Sequence, residues 1–249
     1  MRGVFVNLDS CSGRKNSLIN QLRSAGFSSG EYQRFSAFEP NGDEPQLAKG
    51  LKTKGELGLF KSLVSVLAQI GDEGSDAVVH VLEDDVIFPP GGSAPIESVS
   101  RLMLSHSLLR SADIVFLDYF LNRELFAHLI SRRQCLAPGS IDLIPANRAY
   151  LAGTGSFFVR GSSASYLSRL LSNILDSSES LAPVDLTLRT LLSIGAISGF
   201  LIVPPLCAPG WDQDEDSTIQ AGADPALRLS QRSHVLLRLL ASGIQSPYW

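Results

Sequence analysis

The chain has 249 residues, 44% hydrophobic and 18% charged, with 21 basic against 25 acidic side chains and a formal net charge of -4. That is long enough for one large α/β domain or two small ones, and apolar enough to bury a full core, which excludes a disordered chain. The acidic balance argues against a nucleic-acid binder but leaves room for a local basic site on a phosphorylated ligand.

Cys11, Cys135 and Cys207 lie far apart without a CxxC pair, and the four histidines are scattered. No structural zinc cluster is expected, and a sparse, odd cysteine set suits a reducing compartment. MRGVFVNLD enters a strand at once and lacks the apolar core of a signal peptide. No stretch approaches the roughly 20 apolar residues of a membrane span, so a cytoplasmic location is expected.

In chain order, Val4 to Leu8 reads as a strand and Arg14 to Ala25 as a helix stopped by Gly26. Tyr32 to Phe38 suits a second strand. GELGLFKSLVSVLAQIGDEG is the clearest helix, with Leu57, Phe60, Leu63, Val64 and Leu67 on one face. The strand VVHVLEDDVIF follows it, then a PPGGSAP loop, a helix over 97–111 and the strand ADIVFLDYF. Residues 121–149 are less regular. RAYLAGTGSFFVR reads as strand, glycine-rich turn and strand, and GSSASYLSRLLSNIL as a serine-capped helix. PVDLTLRTLLSIG is helical, LIVPPLCAPGW runs from strand to loop, WDQDEDST is an acidic loop, and 224–242 form a last amphipathic helix. Alternating strands and helices predict an α/β sheet with helices on its faces.

Glu83, Asp84 and Asp85 interrupt an apolar run, with Val78 to Leu82 before them and Val86 to Phe88 after. Two unit charges about 4 Å apart repel by roughly 4 kcal/mol at an effective dielectric of 20. Strand geometry would send Glu83 and Asp85 to one face and Asp84 to the other. A divalent cation offsets the repulsion, and hard carboxylate oxygens suit Mg²⁺ or Mn²⁺. A solvated turn, or pairing with nearby arginines, is the alternative.

GELGLFKSLVSVL followed about a dozen residues later by VLEDDVIF resembles glycosyltransferase family 25, the lipooligosaccharide and collagen-type sugar transferases. VFVNLDSCSGRK is similar to that family's opening, GTGSFFVRGSSASYLSRLL to its Gly-Thr strand and helix, PVDLTL to its Pro-Val-Asp segment, and VPPLCAPGWDQDEDSTI to its late stretch. These matches run in order from Val4 to about Ile219. The resemblance implies a single GT-A-type, Rossmann-like domain over 1–249, a mixed sheet flanked by helices. Its nucleotide-sugar-binding part would be 1–120, its acceptor and catalytic part 121–223, and its C-terminal amphipathic helix 224–249. It implies an inverting transfer of galactose or glucose from a UDP-sugar to a hydroxyl of a saccharide, lipopolysaccharide, other lipid-linked or peptide acceptor, with Mn²⁺ or Mg²⁺.

On that resemblance Asp85 and Asp84 hold the metal and diphosphate, and Glu83 assists or meets the donor sugar. Asn7, Asp9 and Arg14 sit where the first strand meets the nucleotide, although Asp9 could equally cap a helix and Arg14 be solvated. Glu56 opens a helix, where dipole compensation is the competing role. Asp185 is a general base, an acceptor ligand or an N-terminal helix acid. Thr154 and Gly155 form a turn where backbone could approach the sugar. Asp212, Asp214, Glu215, Asp216 and Ser217 lie in the acidic loop, with Asp216 or Ser217 the candidates for donor contact. The last helix, carrying Arg228, Arg232 and Arg238, suits either an anionic membrane surface or packing on its own domain.

Departures are visible. The family's helix carries a histidine after its serine, where Ser62 is here followed by Leu63, and Asp118 replaces a common glycine. A catalytically degenerate member that binds a nucleotide sugar or serves as a scaffold is therefore the alternative. An unrelated Mg²⁺-dependent phosphotransferase would need a glycine-rich phosphate loop, and NLDSCSGRK has a single glycine.

Overall fold

A computed structural model describes residues 2–28, 30–41, 49–51, 53–74, 76–120, 127–129, 131 and 140–210. The first strand, β1 (Arg2–Asn7), alternates its side chains between two cores, as a strand with both faces covered must. Val4 and Val6 enter one core and Phe5 the other. The same alternation holds in β3 (Val78–Glu83), where Val79 and Val81 oppose Val78 and Leu82. With β2 (Tyr32–Ser36), β5 (Ile114–Phe116), β6 (Asp142–Pro145), β7 (Ser156–Arg160) and β8 (Gly199–Val203) they form one seven-stranded sheet in the order β2-β1-β3-β7-β5-β8-β6. Its pairings β1–β2, β1–β3 and β5–β8 are parallel, and β3–β7, β5–β7 and β6–β8 are antiparallel. The expected mixed α/β sheet flanked by helices is the architecture observed.

Helices α1 (Ser12–Ala25) and α3 (Ser93–Ser105), with the short α4 (Ser107–Arg110), cover one face. Helices α2 (Lys54–Asp72), α6 (Gly161–Ser177) and α7 (Val184–Ser193) cover the other, with a one-turn α5 (Ala146–Ala149) beside them. Gly26 closes α1 in the left-handed conformation at φ 98°, its N–H and that of Phe27 capping the last carbonyls. Between α2 and α6, Ser165 lies so close to Gly71 that an added Cβ would come within 2.7 Å of its hydroxyl. Ser168 also donates to the Val64 carbonyl at 2.9 Å. Among the described residues no helix is long and apolar enough to cross a membrane.

Several expected boundaries differ. The apolar run 78–88 is not one strand: β3 ends at Glu83, Asp84 and Asp85 form a turn, and β4 (Val86–Ile87) pairs with β9 (Ala208–Pro209) in a separate ladder. The helix expected over 97–111 begins earlier and breaks at His106, whose backbone is extended. The strand expected before the Gly-Thr turn is absent; α5 and extended chain occupy 146–152. The serine cap of α6 is also a misreading. Arg160 holds the cap position without a side-chain bond, and the Gly161 N–H donates instead to the Ala77 carbonyl.

His80 is the polar exception on the α1–α3 face. It is fully buried, with Nδ1 2.7 Å from the Tyr32 hydroxyl and Nε2 2.7 Å from the Ser156 hydroxyl, and it packs against Phe158. Burial drives its pKa from 6.5 down to about 3. The unfolded chain therefore takes up a proton that the folded chain refuses, so stability held above 6.5 declines as the pH falls toward 3. Urea unfolding at about pH 7 and about pH 5 should show native protein losing up to ~1.4 kcal/mol per pH unit more than His80→Gln. Identical slopes for the two proteins would refute the assignment.

Candidate functional site

Parallel pairing of β1 and β3 sets Val6 opposite Glu83, so Asn7 and Asp84 leave the sheet together at its carboxyl edge. That edge is where open α/β sheets bind ligands. Asn7 is 2% exposed and every polar atom of its amide is engaged. Its Nδ2 donates to Asp84 Oδ2 at 2.6 Å and to the Cys11 carbonyl at 3.1 Å. Its Oδ1 accepts from Arg34 Nε at 2.9 Å, and its backbone carbonyl accepts from the same guanidinium and from the Ala37 N–H, each at 3.0 Å. Arg34 also pairs with Asp9, whose carboxylate accepts from Ser36 Oγ at 2.8 Å. Arg34 and then Ser36 hold the exposed Asp9 below the usual carboxylate range.

Arg14, in the first turn of α1, reaches back to the acidic turn. Its guanidinium lies 3.2 Å from Asp84 Oδ1 and donates to Cys11 Sγ at 3.2 Å. Both Asp84 oxygens thus carry a donor. Burial still raises the Asp84 pKa, against the opposing pull of Asn7 and Arg14. Asp85 is half-buried and faces the same cleft, its carbonyl accepting from the Gly210 N–H at 2.8 Å.

Glu83 turns to other partners. Thr154 Oγ1 donates to its Oε1 at 2.6 Å, because the Glu83 N–H bonds the Gly155 carbonyl and lays the Gly-Thr segment alongside. Asp185, in the first turn of α7, accepts from the Leu186 N–H at 2.8 Å and from the Gly153 N–H at 3.3 Å. It ties the start of that helix to the loop carrying Thr154. Burial pushes Glu83 up to about 8, Asp85, Asp185 and Asp84 add repulsion, and the Thr154 bond opposes it. A carboxyl that titrates near neutrality and lies in a cleft has the character of a proton-transfer group.

The cleft measures about 280 Å³ and runs from the three acidic residues and Arg14 to Phe38, Pro40, Lys54 and Gly58. Its far wall is held by α2. Gly58 lies so near the Phe38 carbonyl that a Cβ would come within 2.6 Å of it. Ser62, fully buried, donates to the Gly58 carbonyl and accepts from the Phe38 N–H at 2.7 Å. Leu63 is buried in the core under α2 and is not a wall of this cleft.

The structure therefore brings together Asn7, Asp9, Arg14 and Asp84 on one side of the acidic turn, and Glu83, Thr154 and Asp185 on the other. Glu56 stands apart from them. Its N–H donates to Thr53 Oγ1 and its carboxylate accepts from the Thr53 N–H, a reciprocal capping box, and it does not line the cleft. The face alternation expected for Glu83 and Asp84 fails beyond Glu83, since the next two residues are in a turn. Asp212, Asp214, Glu215, Asp216 and Ser217 lie outside the described residues, as does the C-terminal helix. Arg34, Phe38 and Lys54 were not anticipated. A basic residue near the end of the strand beside β1 was the available signal for Arg34.

Among the described residues no cluster of three or more His, Cys, Asp or Glu side chains is arranged to hold a metal. Both Asp84 oxygens already carry donors, so a cation of the Mg²⁺ type, which takes one or two carboxylates and completes its shell with phosphate and water, would have Asp85 as its carboxylate here.

No protein-family model matches the chain, and no curated protein matches it. Among solved structures, A197 from STIV aligns at 13% identity over 82% of this chain and 84% of its own, with a TM-score of 0.36. Mouse xyloside xylosyltransferase 1 in its apo form aligns at 14% identity over 79% of this chain and 62% of its own, also at 0.36.

Gly58 offers a test of the cleft wall. Glycine to alanine inside a helix ordinarily stabilises by about 0.5–1 kcal/mol. Here the added methyl meets backbone, so Gly58→Ala should destabilise by about 1–3 kcal/mol, read as a lower urea midpoint. A raised midpoint would mean that residues 37–40 give way freely.

Proposed function

We propose that this protein is a metal-dependent inverting glycosyltransferase of the family 25 type, with a GT-A-like sheet. It moves galactose or glucose from a UDP-sugar to a hydroxyl of a saccharide, lipid-linked or peptide acceptor. The observation that carries the reading is the turn at Glu83–Asp85, set at the carboxyl edge of parallel strands with Arg14 on one side and Thr154 and Asp185 on the other.

Each residue has a role in that chemistry. Arg14 and Lys54 supply positive charge to the diphosphate, and the planar guanidinium suits phosphate oxygens. Asn7 and Arg34 hold Asp84 in place. Asp85, with Asp84 beside it, would hold Mn²⁺ or Mg²⁺, which would supply Lewis-acid stabilisation to the departing nucleotide. Glu83 keeps its proton up to a pH of about 8, and in its ionised form it takes the proton of the acceptor hydroxyl as that oxygen attacks the anomeric carbon and the bond to the diphosphate breaks. Asp185 and Thr154 position it.

Binding without turnover is the competing reading, drawn from the histidine that Leu63 replaces. Leu63 packs in the core and forms no wall of the cleft, so the replacement leaves the cleft's carboxylates and arginine in place.

Calorimetric titration with UDP-galactose, UDP-glucose and GDP-mannose, each with Mn²⁺ and with EDTA, tests the proposal. One UDP-sugar should bind in Mn²⁺ and not in EDTA. Asp85→Ala should abolish the metal dependence, and Arg14→Ala should weaken binding by roughly 10- to 100-fold, the worth of a charge-assisted hydrogen bond. Failure of every nucleotide sugar to bind would sink the reading, and full metal-dependent binding by Asp85→Ala would remove Asp85 as a ligand.

A further inference from the structure

Five large apolar side chains are exposed among the described residues: Phe38, Leu104, Leu108, Tyr166 and Ile194. Of these, Phe38 alone lines the cleft. It is 44% exposed, although its backbone is held on both sides, by Ser62 at its N–H and by the close approach of Gly58 at its carbonyl. Lys61 Nζ lies 4.7 Å from the ring centroid, a cation–π contact that fixes the ring from one direction. An aromatic ring held this firmly and left open to water is not explained by the core, to which it contributes little.

Its position in the cleft gives the explanation. The same cleft is lined by Arg14, Asp84 and Asp85, the groups that suit a diphosphate and its cation, and by Phe38. A ligand that meets both kinds of lining has an anionic part and a flat aromatic part. We infer that the Phe38 ring is the platform on which the nucleobase of a nucleoside diphosphate stacks, an inference that rests on the nucleotide-sugar reading of this cleft. Stacking is tolerant of base identity because every base has a π-face. Phe38 therefore supplies affinity for the nucleoside portion and leaves the choice of base to other contacts.

The test compares UDP with inorganic pyrophosphate, both in Mg²⁺, for native protein, Phe38→Ala and Phe38→Trp. Because Phe38 is exposed, both variants should keep the native thermal transition, which is checked first. Phe38→Ala should weaken UDP about ten-fold while pyrophosphate stays within about two-fold of native, and Phe38→Trp should retain native UDP affinity or exceed it. Unchanged UDP affinity in Phe38→Ala, or an equal loss for UDP and pyrophosphate, overturns the stacking role and leaves the diphosphate site standing. Native protein that binds neither compound overturns the stacking role and the nucleotide-sugar reading together.

Discussion

The carboxyl edge of the sheet is organised around the side chain of Asn7. One amide joins four separate pieces of chain: its own strand, the turn before α1 through the Cys11 carbonyl, the neighbouring strand through Arg34, and the acidic turn through Asp84. The backbone of the same residue receives Arg34 again and the Ala37 N–H. A buried amide left with an unmade bond costs about 1–3 kcal/mol, so each of these pieces is held in register by the others. Aspartate at this position would keep the acceptors and lose the donors, placing a second carboxylate against Asp84. Asparagine is the residue that can accept from a guanidinium and donate to a carboxylate at the same time.

Helix α2 shows how one element serves both packing and site. Its capping box, Thr53 with Glu56, satisfies the first turn locally, so Lys54 and Gly55 are left to line the cleft. One turn further, Gly58 and Ser62 accept the chain at Phe38. On the opposite side Leu57, Phe60, Leu63 and Leu67 are buried in the core shared with α6 and α7. The helical period separates these tasks, with Leu63 on the packing side.

That division explains what could be read from residues alone. Helices α1 and α2 announce themselves by apolar spacing and by Gly26, and the acidic triplet stands out because carboxylates are rare inside an apolar run. The interruption of 78–88 was not legible, because Val86 and Phe88 are buried as a strand residue would be, yet the pairing partner of β4 is residue 208–209. Arg34 escaped notice for a similar reason. Its link to Asn7 spans 27 positions and exists only because β2 lies parallel to β1. Glu56 shows the converse ambiguity, since a carboxylate at the third position of a helix serves a capping box as readily as a ligand, and here it makes the capping box. Local patterns disclose elements, whereas a site assembled across a sheet edge depends on register.

Three adjacent carboxylates can coexist here because the chain ends β3 at Glu83. Had the strand continued, alternation would have sent Asp84 and Asp85 to opposite faces, where α1 and α2 cover the sheet and the desolvation of a charge costs several kcal/mol. The turn instead delivers all three to one cleft and to different partners. Arg14 balances Asp84, and burial keeps a proton on Glu83 up to a pH of about 8. The turn thus sets Asp84, paired with a cation, and Asp85 beside a carboxyl that keeps its proton near neutrality. A divalent cation held against Asp85 would, by its own field, favour the ionised form of Glu83. On the glycosyltransferase reading, loading the site and preparing the base would then be a single electrostatic event, for which three adjacent acids are suited.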